Sequence, residues 1–169
     1  MKEIKLYNVI FPIWLLIFFP PVIFIALAGN FLIDSLVLIA SFYVYKLATN
    51  SNLKTFYKKN IVKVWLFGFL ADAIGAIILF LIVILGDYFE LPYEFFNAIS
   101  YDPFSNYAAV MVILFAMLVS ALFIYLFNYK IVFKKVIEDT SARFKVAFTI
   151  ALVTMPWTFL LPTKWFYYY

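Results

Sequence analysis

The sequence predicts an all-α integral membrane protein, a bundle of five transmembrane helices with a cytoplasmic N-terminus, an external C-terminus and a tight hairpin between the first two helices. Three observations carry that expectation. Of 169 residues, 67% are hydrophobic and only 13% charged, and the mean hydropathy of +1.03 lies far above that of soluble domains, which are about half apolar and about a quarter charged. The apolar residues fall into runs long enough to cross a bilayer, and the basic residues cluster between those runs. Because nearly every segment is either apolar enough to span or short enough to connect, residues 1–169 read as one transmembrane domain.

A hydrocarbon core about 30 Å thick needs roughly 20 residues of helix rising about 1.5 Å each. The run from Asn8 to Tyr45 is nearly twice that length. Gly29-Asn30 near its centre is a turn signal, which places a first span at about 7–28 and a second at about 31–47. Lys2 and Lys5, the apolar stretch and Ala26-Leu27-Ala28 resemble a signal peptide with a small-residue cleavage site. The stretch is longer than the usual signal core and holds Pro12, Pro20 and Pro21, so an uncleaved first helix is expected. Two adjacent prolines remove two N–H donors and free carbonyls of the preceding turn, so a kink or break is expected at Pro20-Pro21. Three further spans follow at about 62–86, 107–129 and 146–163, the last interrupted by Pro156 in the same way.

Basic residues accumulate on the cytoplasmic side of membrane proteins. Lys2 and Lys5 precede the first span, Lys46, Lys54, Lys58, Lys59 and Lys63 separate the second and third, and Lys130, Lys134, Lys135, Arg143 and Lys145 separate the fourth and fifth. Five spans put twelve of the 13 basic residues inside and only Lys164 outside. A cell-membrane location, the bacterial inner or plasma membrane, is the matching expectation. The connection 87–106 carries Asp87, Glu90, Glu94 and Asp102 with no basic residue, and four acids over an external mouth concentrate cations. Pro92 opens a short helix there, Tyr93 to Ser100, with Phe95, Phe96 and Ile99 expected on the membrane. On the other side, Asp139, Thr140 or Ser141 caps the fifth span.

The absence of Cys and His removes disulfides, thiol nucleophiles, His bases, haem ligation and Cys/His metal sites. No cofactor is implied, the acidic connection has no calcium-ligand spacing, and nothing points to nucleic acid. The informative residues are Asp34 and Asp72, the two carboxylates inside the expected spans. An acid at a helix centre costs on the order of 3 kcal/mol on insertion scales, so it faces protein or water and carries a role. Asp72 is about 14 Å along the helix from Lys63, near the midplane; Asp34 is about one turn past Gly29-Asn30. Gly68, Asp72, Gly75 and Leu79 form one helical stripe, so a neighbour can approach the acid closely. Asp34, Ser41 and Tyr45 form the corresponding stripe on the second span, and a polar seam between the two is expected.

With no Lys, Arg or His deep in a span to pair with them, the two carboxyls must be protonated, cation-bound or solvated. The bland alternative is a neutral carboxyl hydrogen-bonded to Ser, Thr or a carbonyl and serving only as glue between helices. The first functional expectation is therefore a proton- or cation-conducting or ion-coupled channel or transporter, oligomeric because five spans are few for a complete carrier. A non-transporting membrane subunit, or an assembly, immunity or sensing component acting through partner helices, is the alternative. A more remote one is an intramembrane aspartyl enzyme, disfavoured because no catalytic motif stands out and the two acids are expected at different depths.

Overall fold

The computed structural model describes residues 11–47, 52–86, 88 and 90–166, and among them the chain is helical with no strand. The helices are α1 (Ile13–Leu16), α2 (Val22–Val44), α3 (Leu53–Gly86), α4 (Tyr93–Ser100), α5 (Tyr107–Phe127) and α6 (Thr140–Thr154). Short 3-10 turns cover Pro103–Ser105, Trp157–Leu160 and Thr163–Trp165, and a π turn, Asn128–Val132, prolongs α5. Helix is the form such apolar sequences take because every backbone N–H and C=O is then satisfied within its own segment. Three of these helices are long and apolar enough to cross a membrane: Val22–Val44, Leu53–Gly86 and Tyr107–Val132, of 23, 34 and 26 residues.

The expected hairpin is not formed. Gly29 and Asn30 lie inside the unbroken helix α2, so the expected spans at 7–28 and 31–47 do not exist as separate helices. Gly and Asn permit a turn without forcing one, and opening the ladder in an apolar setting strands backbone groups at several kcal/mol each. Gly within a helix costs only about 1 kcal/mol against Ala. The break falls instead at Pro20-Pro21, a cis pair whose residues have no N–H to give, between the single turn α1 and α2. The expected cytoplasmic placement of Lys2 and Lys5 lies outside the described residues.

α2 and α3 run antiparallel in contact. Phe42 meets Phe56 with ring centroids 5.3 Å apart, Phe31 meets Trp65 edge-on at 5.9 Å, and the Trp65 indole donates to the Leu27 carbonyl at 2.9 Å. α3 begins at Leu53, well before the expected start at 62. One face of its first turns is buried, with Phe56 enclosed between Phe42 and a stacked Phe133, while Lys54, Thr55, Lys58 and Lys59 on the other face are exposed. α5 and α6 form the other antiparallel pair, with Tyr125 against Phe144 at 5.7 Å. Each has a side-chain cap: Asn106 accepts from the amides of Ala108 and Ala109, and Asp139 accepts from those of Ser141 and Ala142, satisfying donors that a helix start leaves without partners.

Two apolar clusters divide the core along the helix axes. One, at the end carrying Lys54 to Lys63 and Lys130 to Lys145, gathers Leu38, Phe42, Phe56, Val64, Ala71, Ile124, Phe133 and Ile150. The other gathers Trp14, Ala76, Leu79, Ile99, Ile113, Met117, Met155 and Phe159, at the end carrying Glu90, Glu94 and Asp102. We call these the basic and the acidic end. α4 packs its apolar side into the second cluster, with Ala98 and Ile99 fully enclosed and Phe96 filling the space left by Gly86. Ile99 therefore faces protein and not the membrane surface, because α1 lies over it: the Trp14 indole donates to the Ile99 carbonyl at 3.0 Å.

Candidate functional site

Between the two clusters the packing leaves a cavity of ≈ 250 Å³, lined by Ile17, Ala26, Gly29, Asn30, Ile33, Asp34, Gly68, Asp72 and the segment Val153 to Thr158. Its position along α3 is fixed by Ala71, in the basic-end cluster, and Ala76, in the acidic-end cluster; Asp72 falls between them. The structure brings Asp34 and Asp72 together into this one space. The difference in depth expected from their distances to the helix ends does not keep them apart, because α2 is longer than the expected second span and slides Asp34 toward its middle.

Four features build the site. Asp34 and Asp72 are 4% and 6% exposed, and neither forms an ion pair among the described residues, where the one ion pair is Lys164 with Asp102. The Asp72 Oδ1 oxygen is buried without a hydrogen-bond partner. Gly68 lets α2 come close on α3: a Cβ there would stand 3.6 Å from Asp34 Oδ2. Of the expected polar seam, only Asp34 meets α3 here, while the Tyr45 hydroxyl bonds Thr149 on α6 instead. Finally, α6 stops at Thr154 because Pro156 cannot continue it. The N–H of Trp157 turns back to the Met155 carbonyl at 2.7 Å, and the C-terminal end of α6, the negative end of its dipole, lines the cavity through Val153 and Thr154. The Thr154 hydroxyl donates to the Ile150 carbonyl at 2.9 Å, so its oxygen presents only lone pairs to other groups.

An unpaired carboxylate buried beside a second one and a helix C-terminus costs several kcal/mol unless a proton or a cation neutralises it. The lining holds no basic group. Oxygen donors without a positive partner suit a proton or a cation; among the described residues no group of three or more acidic side chains stands together as a metal cage.

Other expected site residues lie elsewhere. Gly75 faces α5 and the turn after α6, where a Cβ would stand 3.1 Å from both the Ala116 carbonyl and the Phe159 ring and would overlap the Ser120 hydroxyl. It serves helix packing and does not line the cavity. Ser41 is buried with its hydroxyl unpartnered, two turns along α2 from Asp34, and is also outside the lining. Of the expected external acids, Glu90, Glu94 and Asp102 are not among the residues that line the cavity. Asp102 is neutralised by Lys164, Glu90 and Glu94 are exposed, and Asp87 lies outside the described residues. Sequence reasoning missed Asn30 and the run Thr154 to Thr158 as lining residues. Asn30 was legible, standing four residues before Asp34 on the same helical face.

No known protein family, characterised protein or solved structure matches the chain.

Proposed function

We propose that this protein is a small ion-coupled channel or transporter of the membrane, in which Asp72 and Asp34 form one proton- or cation-binding site. The observation that carries this reading is the buried, unpartnered Asp72 Oδ1 in a cavity it shares with Asp34 and with no basic group. Support comes from the two helix breaks, at Pro20-Pro21 and at Pro156. Non-helical backbone at membrane depth is tolerated where it lines a cavity, and interrupted helices are a recurrent way to present carbonyls to a coupling ion.

The same reading favours four crossings over five. α1 and α2 together act as one interrupted crossing beside α3, and α6 with its following turn makes the fourth. Ile13 N–H donates to Thr163 Oγ1 at 2.9 Å, which joins the start of the first crossing to the end of the last. In this arrangement the cytosol receives Lys46 to Lys63 and Lys130 to Lys145, ten of the 13 basic residues, in keeping with the usual bias.

The deciding experiment is flux in proteoliposomes loaded with a pH-sensitive or sodium-sensitive dye. Wild-type protein moves protons or a cation, and Asp72→Asn lowers the rate to that of empty vesicles, whereas Asp102→Asn retains it. Equal flux in Asp72→Asn and wild type, or none in either, refutes the proposal.

A further inference from the structure

The cavity is larger than a bare ion requires, and its rim is mostly apolar, with Asn30 and the exposed Thr158 its polar members. Its ≈ 250 Å³ corresponds to about eight waters at roughly 30 Å³ each. Ile33, Val153 and Trp157 line it and are 47%, 46% and 52% exposed, so the opening passes between α2 and α6. Gly68 and Asp72 on its floor are near the midpoint of the 34-residue α3, which sets that opening at mid-height on the side of the helix bundle. At that height the exposed neighbours on α2 are Leu32, Ile33 and Leu36, the surface of a helix wall that meets hydrocarbon. A charged group carried on an apolar body approaches through such a mostly apolar rim more favourably than a fully hydrated inorganic ion does.

Resting on the reading of Asp34 and Asp72 as a cation site, we propose that its ligand is a lipophilic organic monocation, an ammonium with hydrocarbon or aromatic substituents, that enters sideways from the bilayer between α2 and α6. The ammonium sits against the two carboxyls, and the substituents lie along Ile17, Ile33 and Val153. Trp157 lines the rim and is half exposed, and an indole is the best aromatic partner for a cation passing it. Charge balances by exchange: as the ammonium arrives, one carboxyl O–H bond breaks and its proton leaves to the buffer, so the ammonium faces a carboxylate and the net charge of the site is unchanged.

Equilibrium binding of benzyltrimethylammonium to the full chain in lipid nanodiscs, with empty nanodiscs as background, tests this. Saturable binding is expected, with proton release in weak buffer. Affinity should exceed that for tetramethylammonium by on the order of tenfold, since the ring adds apolar burial. Asp72→Asn should lower affinity by about tenfold or more, the loss of a charged partner, and abolish proton release. Trp157→Leu, at an exposed site where folding is not at stake, should lower affinity roughly two- to fivefold, and Trp157→Phe should restore part of it. Where Asp72→Asn does not yield folded protein, the Trp157 pair decides. Equal binding by Asp72→Asn and wild type, or equal affinity for the two ammonium ions, overturns the proposal. Proton or sodium flux that depends on Asp72, with no binding of benzyltrimethylammonium, sinks this inference and leaves the ion site standing. Loss of both flux and binding sinks the two together.

Discussion

Gly68 and Gly75 belong to one stripe of α3, yet the structure gives them different neighbours and therefore different sensitivities. A methyl group at Gly75 must displace the Ser120 hydroxyl and press on a carbonyl and a ring at 3.1 Å, and overpacking of this kind costs about 1–3 kcal/mol. Gly75→Ala is thus expected to lower the melting temperature in detergent, read by loss of the monodisperse peak after heating. At Gly68 the same methyl meets only Asp34 Oδ2 at 3.6 Å, an ordinary contact, so Gly68→Ala should not lower stability and should gain up to about 1 kcal/mol through helix propensity. An equal fall for both would contradict the packing described. Asp34 and Asp72 show the same lesson from the polar side: their residue type was informative, but only their shared space makes a site of them.

At the scale of elements, α2 is the point where local signals and the fold disagree most. Gly29-Asn30 is a turn signal when read alone, and in the fold it is two ordinary residues of a 23-residue helix. A Cβ on Gly29 meets nothing within 4 Å, so Gly29→Ala is expected to stabilise by up to about 1 kcal/mol through helix propensity. A hairpin at this position would instead be destabilised by that change, so the sign of the shift in thermal denaturation decides. α1 is only four residues long and owes its place to tertiary contacts. Thr163→Val removes the acceptor of the Ile13 N–H, and leaving a buried donor unsatisfied costs about 1–3 kcal/mol. Protease cleavage ahead of Val22 should become faster in that variant while the rest of the chain stays resistant; unchanged cleavage would show that the bond does not hold α1.

For the whole molecule, crossing number is the property to measure. The natural chain has no Cys, so single Cys variants report sidedness directly with an impermeant maleimide. With four crossings, Lys58→Cys and Glu138→Cys are labelled from the cytosol. Glu94→Cys and a tag placed before Met1 are then reached from the opposite side. With five crossings, the tag joins the cytosolic set and the other assignments stay as they are. Placement of the tag therefore separates the two topologies.

Hydropathy, the two basic clusters, the helix-stopping prolines and the pair of intramembrane acids were all legible in the chain, because each depends on residues adjacent in sequence and on their additive transfer between water and lipid. The short helix after Pro92 and the Asp139 cap were legible for the same reason, since capping is a matter of three or four neighbouring residues. The unbroken course of α2 was not, because a long apolar run fits either two short helices or one long one, and only packing along the 34-residue α3 selects the long one. Nor was the site. Asp34, Asp72 and Thr154 meet across three helices distant in sequence, and whether a buried carboxyl finds a partner or an empty space is decided by packing between helices, which no local pattern encodes.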